Sequence, residues 1–251
     1  MTALFKRGRS RHPAGPLRIC IVAVLVAMAL PAPRAPAMAQ SQPLSEAQVL
    51  RQLDERRDTF VRRAAEEGYP PCAAPTIVLR DTPSFGNYQV ESNQIVVASW
   101  PSLTDAERDD FAQLAHAIGG HATAVSVFEG GTYRWVFVHE LGHWWQHCRR
   151  QTRPSSFEEE NGANRIALAF WRERDPRFAD QIVYGFQALV RAVPSPVPAG
   201  GSLQAYVDAN FTRVSTGDDY TWVQASSVAA LAQETPAPSF HKALSQPLYP
   251  W

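Results

Sequence analysis

The apolar residues between positions 45 and 68 recur at the three- and four-residue spacing of a helix. Ser45 and Gln48 match a capping box, in which the two side chains close the start of a helix. Tyr69-Pro70-Pro71 would end this helix near Gly68. The pattern therefore predicts a helix whose apolar face consists of Val49, Leu50, Leu53, Phe60, Val61 and Ala64.

Short segments rich in β-forming residues follow this helix. Thr76–Leu79 is one such segment, and Tyr88–Val90 and Ile95–Ala98 are two more. The last two flank the turn-forming pair Ser92-Asn93, which is typical of a β-hairpin. We therefore expect a small sheet, antiparallel or mixed, in this part of the chain.

Helical patterns dominate the remaining sequence. A second capping box, Thr104-x-x-Glu107, opens a helix that the Gly119-Gly120 pair would end. Gly130-Gly131 would precede a strongly apolar helix, and Ser156-x-x-Glu159 would cap the helix after it. A few strands followed by helices indicate an α+β fold without a clear second domain. The further predicted helices are Tyr133 to about Arg150, Ser156 to about Arg172, Pro176 to about Val193, and short runs near 203–211 and 218–232.

The first 39 residues have the pattern of an export signal. Basic residues at the start precede an apolar run, Ile19–Leu30, and then Ala37-Met38-Ala39 offers small residues at the cleavage spacing. The apolar run is about half of the roughly 20 residues that a membrane-spanning helix needs, so an uncleaved anchor is the weaker alternative. We expect a signal peptide at 1–39, one domain at 40–251, a secreted or periplasmic protein, and no stable membrane insertion after cleavage.

Removing the signal changes the charge and the cysteine count. The whole chain has 24 basic and 24 acidic residues, and cleavage leaves 18 basic against 24 acidic, a net charge of −6. An acidic domain gives no electrostatic reason to expect a nucleic-acid partner. Two cysteines remain, Cys72 and Cys148, and an even pair in an oxidising compartment favours one disulfide over two buried thiols.

Candidate chemistry is concentrated in His139-Glu140-Leu141-Gly142-His143. Residues at i and i+4 share a helix face about 6 Å apart, so His139 and His143 can direct two imidazoles at one metal ion. Zinc at such a site acidifies water, and Glu140, one step round the helix, can take the proton. The alternative is that both histidines are ordinary core residues on a buried helix.

A third metal ligand must come from outside this run. His147 extends the spacing to i+8, but that series spans about 12 Å of helix and cannot converge on one ion. Glu160 and Asn164 are i and i+4 on the next predicted helix; Glu160 can complete a His-His-Glu set, and Asn164 can accept from a ligating ring. Glu158 and Glu159 are competing candidates in the same acidic turn.

The two segments together resemble the gluzincin metallopeptidases, in which one helix carries His-Glu-x-x-His and a second carries Glu-x-x-x-Asp or a near variant. This chain has Glu-x-x-Ala-Asn from Glu160 to Asn164. The metzincin pattern is absent, because Gln146 and Arg149 stand where it requires glycine and histidine. The resemblance covers about residues 135–170 and has two departures: the His143-to-Glu160 gap is short for thermolysin-like members, and position 164 is Asn.

This resemblance implies Zn²⁺ bound by His139, His143 and Glu160, with Glu140 as the general base. It also implies a zincin-like fold, in which a small sheet packs on the first helix and its edge strand, here the hairpin at 88–98, holds extended substrate. The expected function is a secreted zinc peptidase with a polypeptide substrate. The alternatives are an exported, non-catalytic metal-binding protein and a zinc hydrolase of non-peptide amides or esters.

A developing oxyanion usually needs a further hydrogen-bond donor in addition to the metal. The sequence offers two candidates in its C-terminal helical part, Tyr220 and His241. We expect Tyr220 to be the catalytic donor, although an ordinary aromatic position and a tail histidine are the alternatives, because only geometry can place such a group.

Overall fold

A computed structural model of the chain describes residues 42–70, 72–82, 84–118, 122–149, 155–215 and 219–245. The predicted signal peptide, residues 1–39, lies outside these ranges. Within them, no helix combines the length and the apolar character that crossing a membrane requires. The elements are α1 (Glu46–Glu66), β1 (Thr76–Leu79), β2 (Gly86–Gln89), β3 (Gln94–Val97), a 3₁₀ turn (Trp100–Ser102), α2 (Asp105–Ile118), α3 (Ala124–Phe128), a π-helical segment (Glu129–Val136), α4 (Phe137–Cys148), α5 (Ser156–Arg174), α6 (Pro176–Ala192), α7 (Leu203–Val214), α8 (Asp219–Leu231) and α9 (Phe240–Ser245).

The three strands form one small mixed sheet in the order β1-β3-β2. β1 runs parallel to β3, and β2 pairs antiparallel with β3, which confirms the predicted hairpin. Asn93 closes the turn between β2 and β3 with a φ of 49°, a left-handed conformation that asparagine tolerates better than most residues. In the part of the chain that the structure describes, β2 pairs with β3 only, so its second edge is open, and it packs against α4.

Helical backbone before α4 starts earlier than the sequence predicts. Thr123 caps α3 by accepting from the Ser126 N–H at 3.1 Å, and the chain then continues through a π-helical segment directly into α4. The Gly130-Gly131 pair lies inside this segment, so the prediction that it precedes the helix is wrong. The π-helical turns are wider than α-helical ones, and their residues line one side of the site described below.

The N-cap residue of α5 lies one position earlier than the sequence predicts. Ser155, and not Ser156, is the N-cap, and its side chain accepts from the Glu158 N–H at 3.4 Å. The predicted Ser156–Glu159 capping box is therefore wrong. α5 packs against α4 along its length and also contacts α6, α7, α8 and α9, so it is the central helix of the C-terminal part.

The core is rich in aromatic side chains that bridge the helices. The Phe60 ring of α1 lies 5.6 Å from Phe170 of α5, 5.2 Å from Phe240 of α9 and 6.2 Å from Trp144 of α4. Such edge-on and tilted contacts stabilise a fold beyond the area that they bury. The elements as a whole confirm an α+β class, mostly helical with a small mixed sheet.

The predicted disulfide is confirmed. Cys72, just before β1, is bonded to Cys148, the last residue of α4. The Trp144 indole donates to the Ala73 carbonyl at 3.1 Å beside this bond. A covalent link and a hydrogen bond therefore join the strand region to the end of the helix that carries the candidate chemistry.

Candidate metal centre

His139 and His143 point their rings at each other from one face of α4. Their Nε2 atoms are 3.0 Å apart, and the ring planes are 84° from each other. The surrounding residues of α4, including Val138 and Leu141, are fully buried, which fixes this face of the helix toward the protein interior. The i and i+4 spacing thus brings two nitrogen ligands together, as the sequence predicts.

Glu160 on α5 completes the cluster. Its Oε2 lies 3.4 Å from His139 Nε2 and 3.7 Å from His143 Nε2. Glu159, one of the two competitors, lies 3.9 Å from the other ring nitrogen of His143, Nδ1, and is not in the three-ligand group. In the described part of the chain, His139, His143 and Glu160 are the group whose ligand atoms lie close enough together to hold a metal ion.

The spacing of these three ligand atoms fits a metal ion. Zinc bonds nitrogen and oxygen at about 2.0–2.2 Å, and a tetrahedral arrangement then separates neighbouring ligand atoms by about 3.4 Å. The observed separations of 3.0, 3.4 and 3.7 Å lie on both sides of that value. A buried set of two imidazoles and one carboxylate can therefore hold a metal ion without a large rearrangement.

Strong electrostatic coupling marks the same three residues. Burial alone would raise the pKa of Glu160, but the neighbouring His143 and hydrogen bonds from both histidines hold that pKa well below its usual range. Burial would lower the pKa of His143, yet Glu160, Glu140 and Glu159 raise it to about 9. The cluster thus pairs a carboxylate that stays ionised with an imidazole that retains a proton until a cation replaces it.

Gly142 allows α4 and α5 to approach closely enough for this cluster. A Cβ atom at position 142 would lie 2.9 Å from Ala163 Cα and 3.0 Å from the Ala163 carbonyl oxygen. Both contacts are with backbone, which cannot rotate away. The glycine between the two histidines is therefore needed for the helix approach that brings Glu160 to them.

Asn164 occupies the position next to His139 that the sequence predicts for it. It is fully buried, and its Oδ1 lies 2.9 Å from His139 Nδ1, the ring nitrogen that faces away from Glu160. Its amide nitrogen reaches α8, at 2.5 Å from Gln224 Oε1 and 3.3 Å from Ser227 Oγ. Asn164 thus connects the first histidine to a third helix.

α8 also contacts Glu160 directly. The Tyr220 hydroxyl donates to Glu160 Oε2 at 2.9 Å, and the Gln224 amide donates to the same oxygen at 2.6 Å. Burial raises the pKa of Tyr220 well above its usual range, and the charges of Glu160 and Glu140 add to this effect. Tyr220 is therefore a protonated donor at the cluster.

The second candidate donor, His241, lies away from the cluster. Its Nδ1 is 3.2 Å from Glu67 Oε2, and its ring is 5.7 Å from that of Tyr69. His147 is exposed, with its ring centroid 6.1 Å from that of Tyr88, and is not part of the three-ligand group. The structure thus brings Tyr220 to the cluster and leaves His241 away from it, whereas His147 lines the cleft over the cluster without belonging to the ligand group.

Glu140 is buried beside the cluster without belonging to it. Its Oε2 accepts from the Tyr88 backbone N–H at 2.7 Å, so the open edge of β2 holds the carboxylate. Gly86 makes this contact between strand and helix possible, because a Cβ there would lie 2.4 Å from Val136 Cγ1 and 3.3 Å from Glu140 Cγ. Strand and helix therefore fix the carboxylate at the site.

A cleft of about 650 Å³ opens over these residues. The outer edge of β2 forms one wall, and Phe211 and Ser215 at the end of α7 lie across from it. A smaller apolar pocket of about 80 Å³ adjoins Glu140 and Tyr220 on the other side. Its apolar lining comprises Phe85, Phe111, Trp135, Val136, Ile182 and Phe186.

Sequence reasoning missed Gln224 and Ser227. Both lie on α8 with Tyr220, at spacings of four and seven residues, so a polar stripe on an otherwise apolar helix was the available signal. That stripe could not reveal its partners, because Glu160 and Asn164 are about sixty positions away in sequence. Only the packing of α8 on α5 brings them together.

Comparisons of the chain with models of known protein families, with curated proteins and with solved structures found no match.

Proposed function

We propose that the chain is a zinc-dependent peptidase of the gluzincin type with a zincin-like fold. The observation that carries this proposal is the pairing of a three-ligand cluster, His139, His143 and Glu160, with a buried carboxylate that is not a ligand. A site that only stores metal has no need for Glu140 at the cleft, whereas hydrolysis needs a base there.

Glu140 is the general base in this proposal. Its carboxylate faces the cleft beside the cluster, and the Tyr88 N–H orients it through one oxygen. The carboxylate accepts a proton from the attacking water and delivers it to the leaving amine. When bound, zinc supplies the Lewis acidity that polarises the scissile carbonyl and makes the water acidic enough to lose that proton.

Tyr220 supplies the additional donor in this proposal. Its hydroxyl is already at the cluster, 2.9 Å from Glu160 Oε2, and Tyr220 lines both the cleft and the small pocket. A neutral phenol can direct its O–H toward an oxyanion that forms between the cleft and the small pocket. Its raised pKa keeps that proton in place over the neutral pH range.

The cleft suits an extended polypeptide. The second edge of β2 has no strand partner in the described residues and faces the site, so an extended peptide can lie along it and bond to backbone groups other than the Tyr88 N–H, which donates to Glu140. The small pocket next to Glu140 is apolar and has room for an aliphatic side chain beside the cleaved bond. The Cys72–Cys148 disulfide favours an oxidising compartment, in keeping with the predicted export.

The substitution Glu140→Gln tests this proposal. We expect it to lower kcat on a peptide library by about 10²- to 10⁴-fold, because the amide cannot accept the proton. Zinc content should remain one per chain, since Glu140 is not in the ligand group. Mass spectrometry of the cleaved library should also show an aliphatic residue beside the cut bond.

Glu159→Gln is the matched control, because it removes a carboxylate from the same cleft at 3.9 Å from His143 Nδ1. We expect the control to retain at least about a tenth of the activity. Activity that survives Glu140→Gln would overturn the mechanism. A wild-type protein that binds zinc but cleaves no peptide would favour a non-catalytic metal site, and cleavage of amides or esters alone would favour a non-peptide hydrolase.

A further inference from the structure

We infer that Gln224 is a positioning residue that determines which nitrogen of His139 faces the metal. It does so through a chain of hydrogen bonds that can run in one direction only, from Glu160 through Gln224 and Asn164 to His139. This inference rests on the metal-binding part of the proposed function and is independent of whether the protein cleaves peptides.

The direction of the chain is set at Glu160. A carboxylate that binds a metal ion is deprotonated and can only accept hydrogen bonds, and Glu160 belongs to the three-ligand group. The Gln224 side chain contacts it at 2.6 Å, so the NH₂ group of that amide must face Glu160. The carbonyl oxygen of Gln224 then necessarily points the other way, toward Asn164.

The same reasoning orients Asn164. Its partner at 2.5 Å is the Gln224 carbonyl oxygen, which can only accept, so the NH₂ group of Asn164 faces α8. Ser227 supports this orientation, because its hydroxyl donates to Asn161 Oδ1 at 2.6 Å and leaves a lone pair for Asn164 at 3.3 Å. The Asn164 carbonyl oxygen is therefore turned toward His139.

The orientation of Asn164 determines which ring nitrogen of His139 carries the proton. Its Nδ1 lies 2.9 Å from the Asn164 carbonyl oxygen, an acceptor, and must carry the ring proton. In the form that binds a metal ion the ring holds this one proton, so its lone pair is on Nε2, the nitrogen that lies 3.4 Å from Glu160 Oε2 and 3.0 Å from His143 Nε2. Glu160 thus acts through Gln224 and Asn164 to place the ring proton of His139 on Nδ1, which leaves Nε2 available to a metal ion.

A glutamine is needed at this position because the relay requires both a donor and an acceptor. Without Gln224, the NH₂ group of Asn164 keeps only the weaker contact with Ser227 on α8, and the side-chain amide can rotate by about 180°. The NH₂ group would then face His139 Nδ1, and the proton would move to Nε2, where it competes with the metal. The expected defect is therefore weaker metal binding, without loss of any ligand.

Gln224→Met removes both hydrogen bonds and keeps the side-chain length. We expect its zinc Kd, measured by competition with a chromophoric chelator, to rise by about 10- to 100-fold. In the zinc-loaded protein, the Nδ1–H proton of His139 should exchange with solvent faster than in the wild type, as seen by ¹H–¹⁵N NMR. Gln224→Glu, which cannot donate to Glu160 while ionised, should weaken zinc binding in the same direction.

Ser226→Ala is the matched control, because Ser226 is on the same helix and its Oγ has no hydrogen-bond partner among the described residues. Its zinc Kd and its exchange rate should equal those of the wild type. A folded Gln224→Met or Gln224→Glu protein with wild-type zinc affinity and a protected Nδ1–H would overturn the inference. Wild-type protein that binds zinc but cleaves nothing would contradict the peptidase proposal alone, whereas failure to bind zinc would overturn both.

Discussion

At the scale of single residues, we expect His143 to make metal binding depend on pH. Burial lowers the pKa of its ring, but three neighbouring carboxylates outweigh burial and raise the pKa to about 9, so at neutral pH the ring holds a proton that a metal ion must displace. The pKa of Glu160 is held well below its usual range, so at neutral pH no proton on its carboxylate competes with the metal ion. We predict that the zinc Kd falls about tenfold for each unit of pH between about 7 and 9 and is constant above that range.

Zinc titrations in a competing chelator, repeated from pH 6.5 to 9.5, measure this dependence directly. Calorimetry in buffers of different ionisation enthalpy should show about one proton released per zinc at pH 7. His241→Gln provides a control, because His241 lies beside Glu67 and outside the ligand group. A zinc Kd that does not change between pH 7 and 9 would contradict the prediction.

The residues of the candidate metal site could be predicted because their spacing has direct geometric meaning. His139 with His143 and Glu160 with Asn164 are i and i+4 pairs, and the structure brings the two pairs together. The choice of Glu160 over Glu158 and Glu159 rested on the face that it shares with Asn164. Gln224 could not be predicted, since no local rule connects residues on α8 and α5.

At the scale of elements, the close contact between α4 and α5 depends on Gly142. Gly→Ala in a helix interior ordinarily stabilises by about 1 kcal/mol. Here the added methyl would lie 2.9–3.2 Å from three atoms of Ala163, so we predict that Gly142→Ala lowers the free energy of unfolding by about 1–3 kcal/mol. It should also weaken zinc binding at least about tenfold, because ligand sites tolerate displacements of only about 0.5 Å.

Urea unfolding of the metal-free variant separates the packing effect from the loss of metal. The sign of the change in stability is the decisive result, because helix propensity and close packing predict opposite signs. A more stable Gly142→Ala protein with wild-type zinc affinity would show that the two helices do not need this approach.

Element boundaries were predictable where local capping or turn chemistry fixes them and not elsewhere. The Ser45–Gln48 capping box and the turn at Asn93 occur as predicted. The structure adds a short helix, α9, within the proline-rich tail, and extends the helix from residue 203 to Val214. α9 forms because Phe240 is fully buried against α1 and α5, a tertiary contact that propensity does not report.

At the scale of the whole molecule, the Cys72–Cys148 disulfide closes a loop with a sequence separation of 76 residues. By chain entropy, a loop of this length stabilises the folded state by about 4 kcal/mol. We predict that Cys72→Ser/Cys148→Ser lowers the free energy of unfolding by about this amount. Urea unfolding under non-reducing conditions measures the difference.

The wild-type protein in excess reductant is the control for this substitution, and its urea midpoint should fall to that of the double variant. Zinc affinity should change less than stability, because neither cysteine belongs to the ligand group. Equal midpoints for the wild type and the double variant without reductant would contradict the prediction.

The α+β class followed from the order of predicted elements, but the layout of the sheet did not. The parallel pairing of β1 with β3 and the open edge of β2 depend on how the strands meet α1 and α4. Patterns along the chain fix which side of a strand is apolar and leave its neighbours undetermined.

The open edge of β2 also bears on how the protein avoids self-association. Unpaired strand edges are common starting points for the strand-by-strand stacking that leads to aggregates. Here the edge is only four residues long, and its Tyr88 N–H already donates to Glu140 of α4, so the edge offers a second strand an incomplete set of pairing groups. We therefore expect the edge to accept one short extended segment at most and to be a poor starting point for a growing stack of strands.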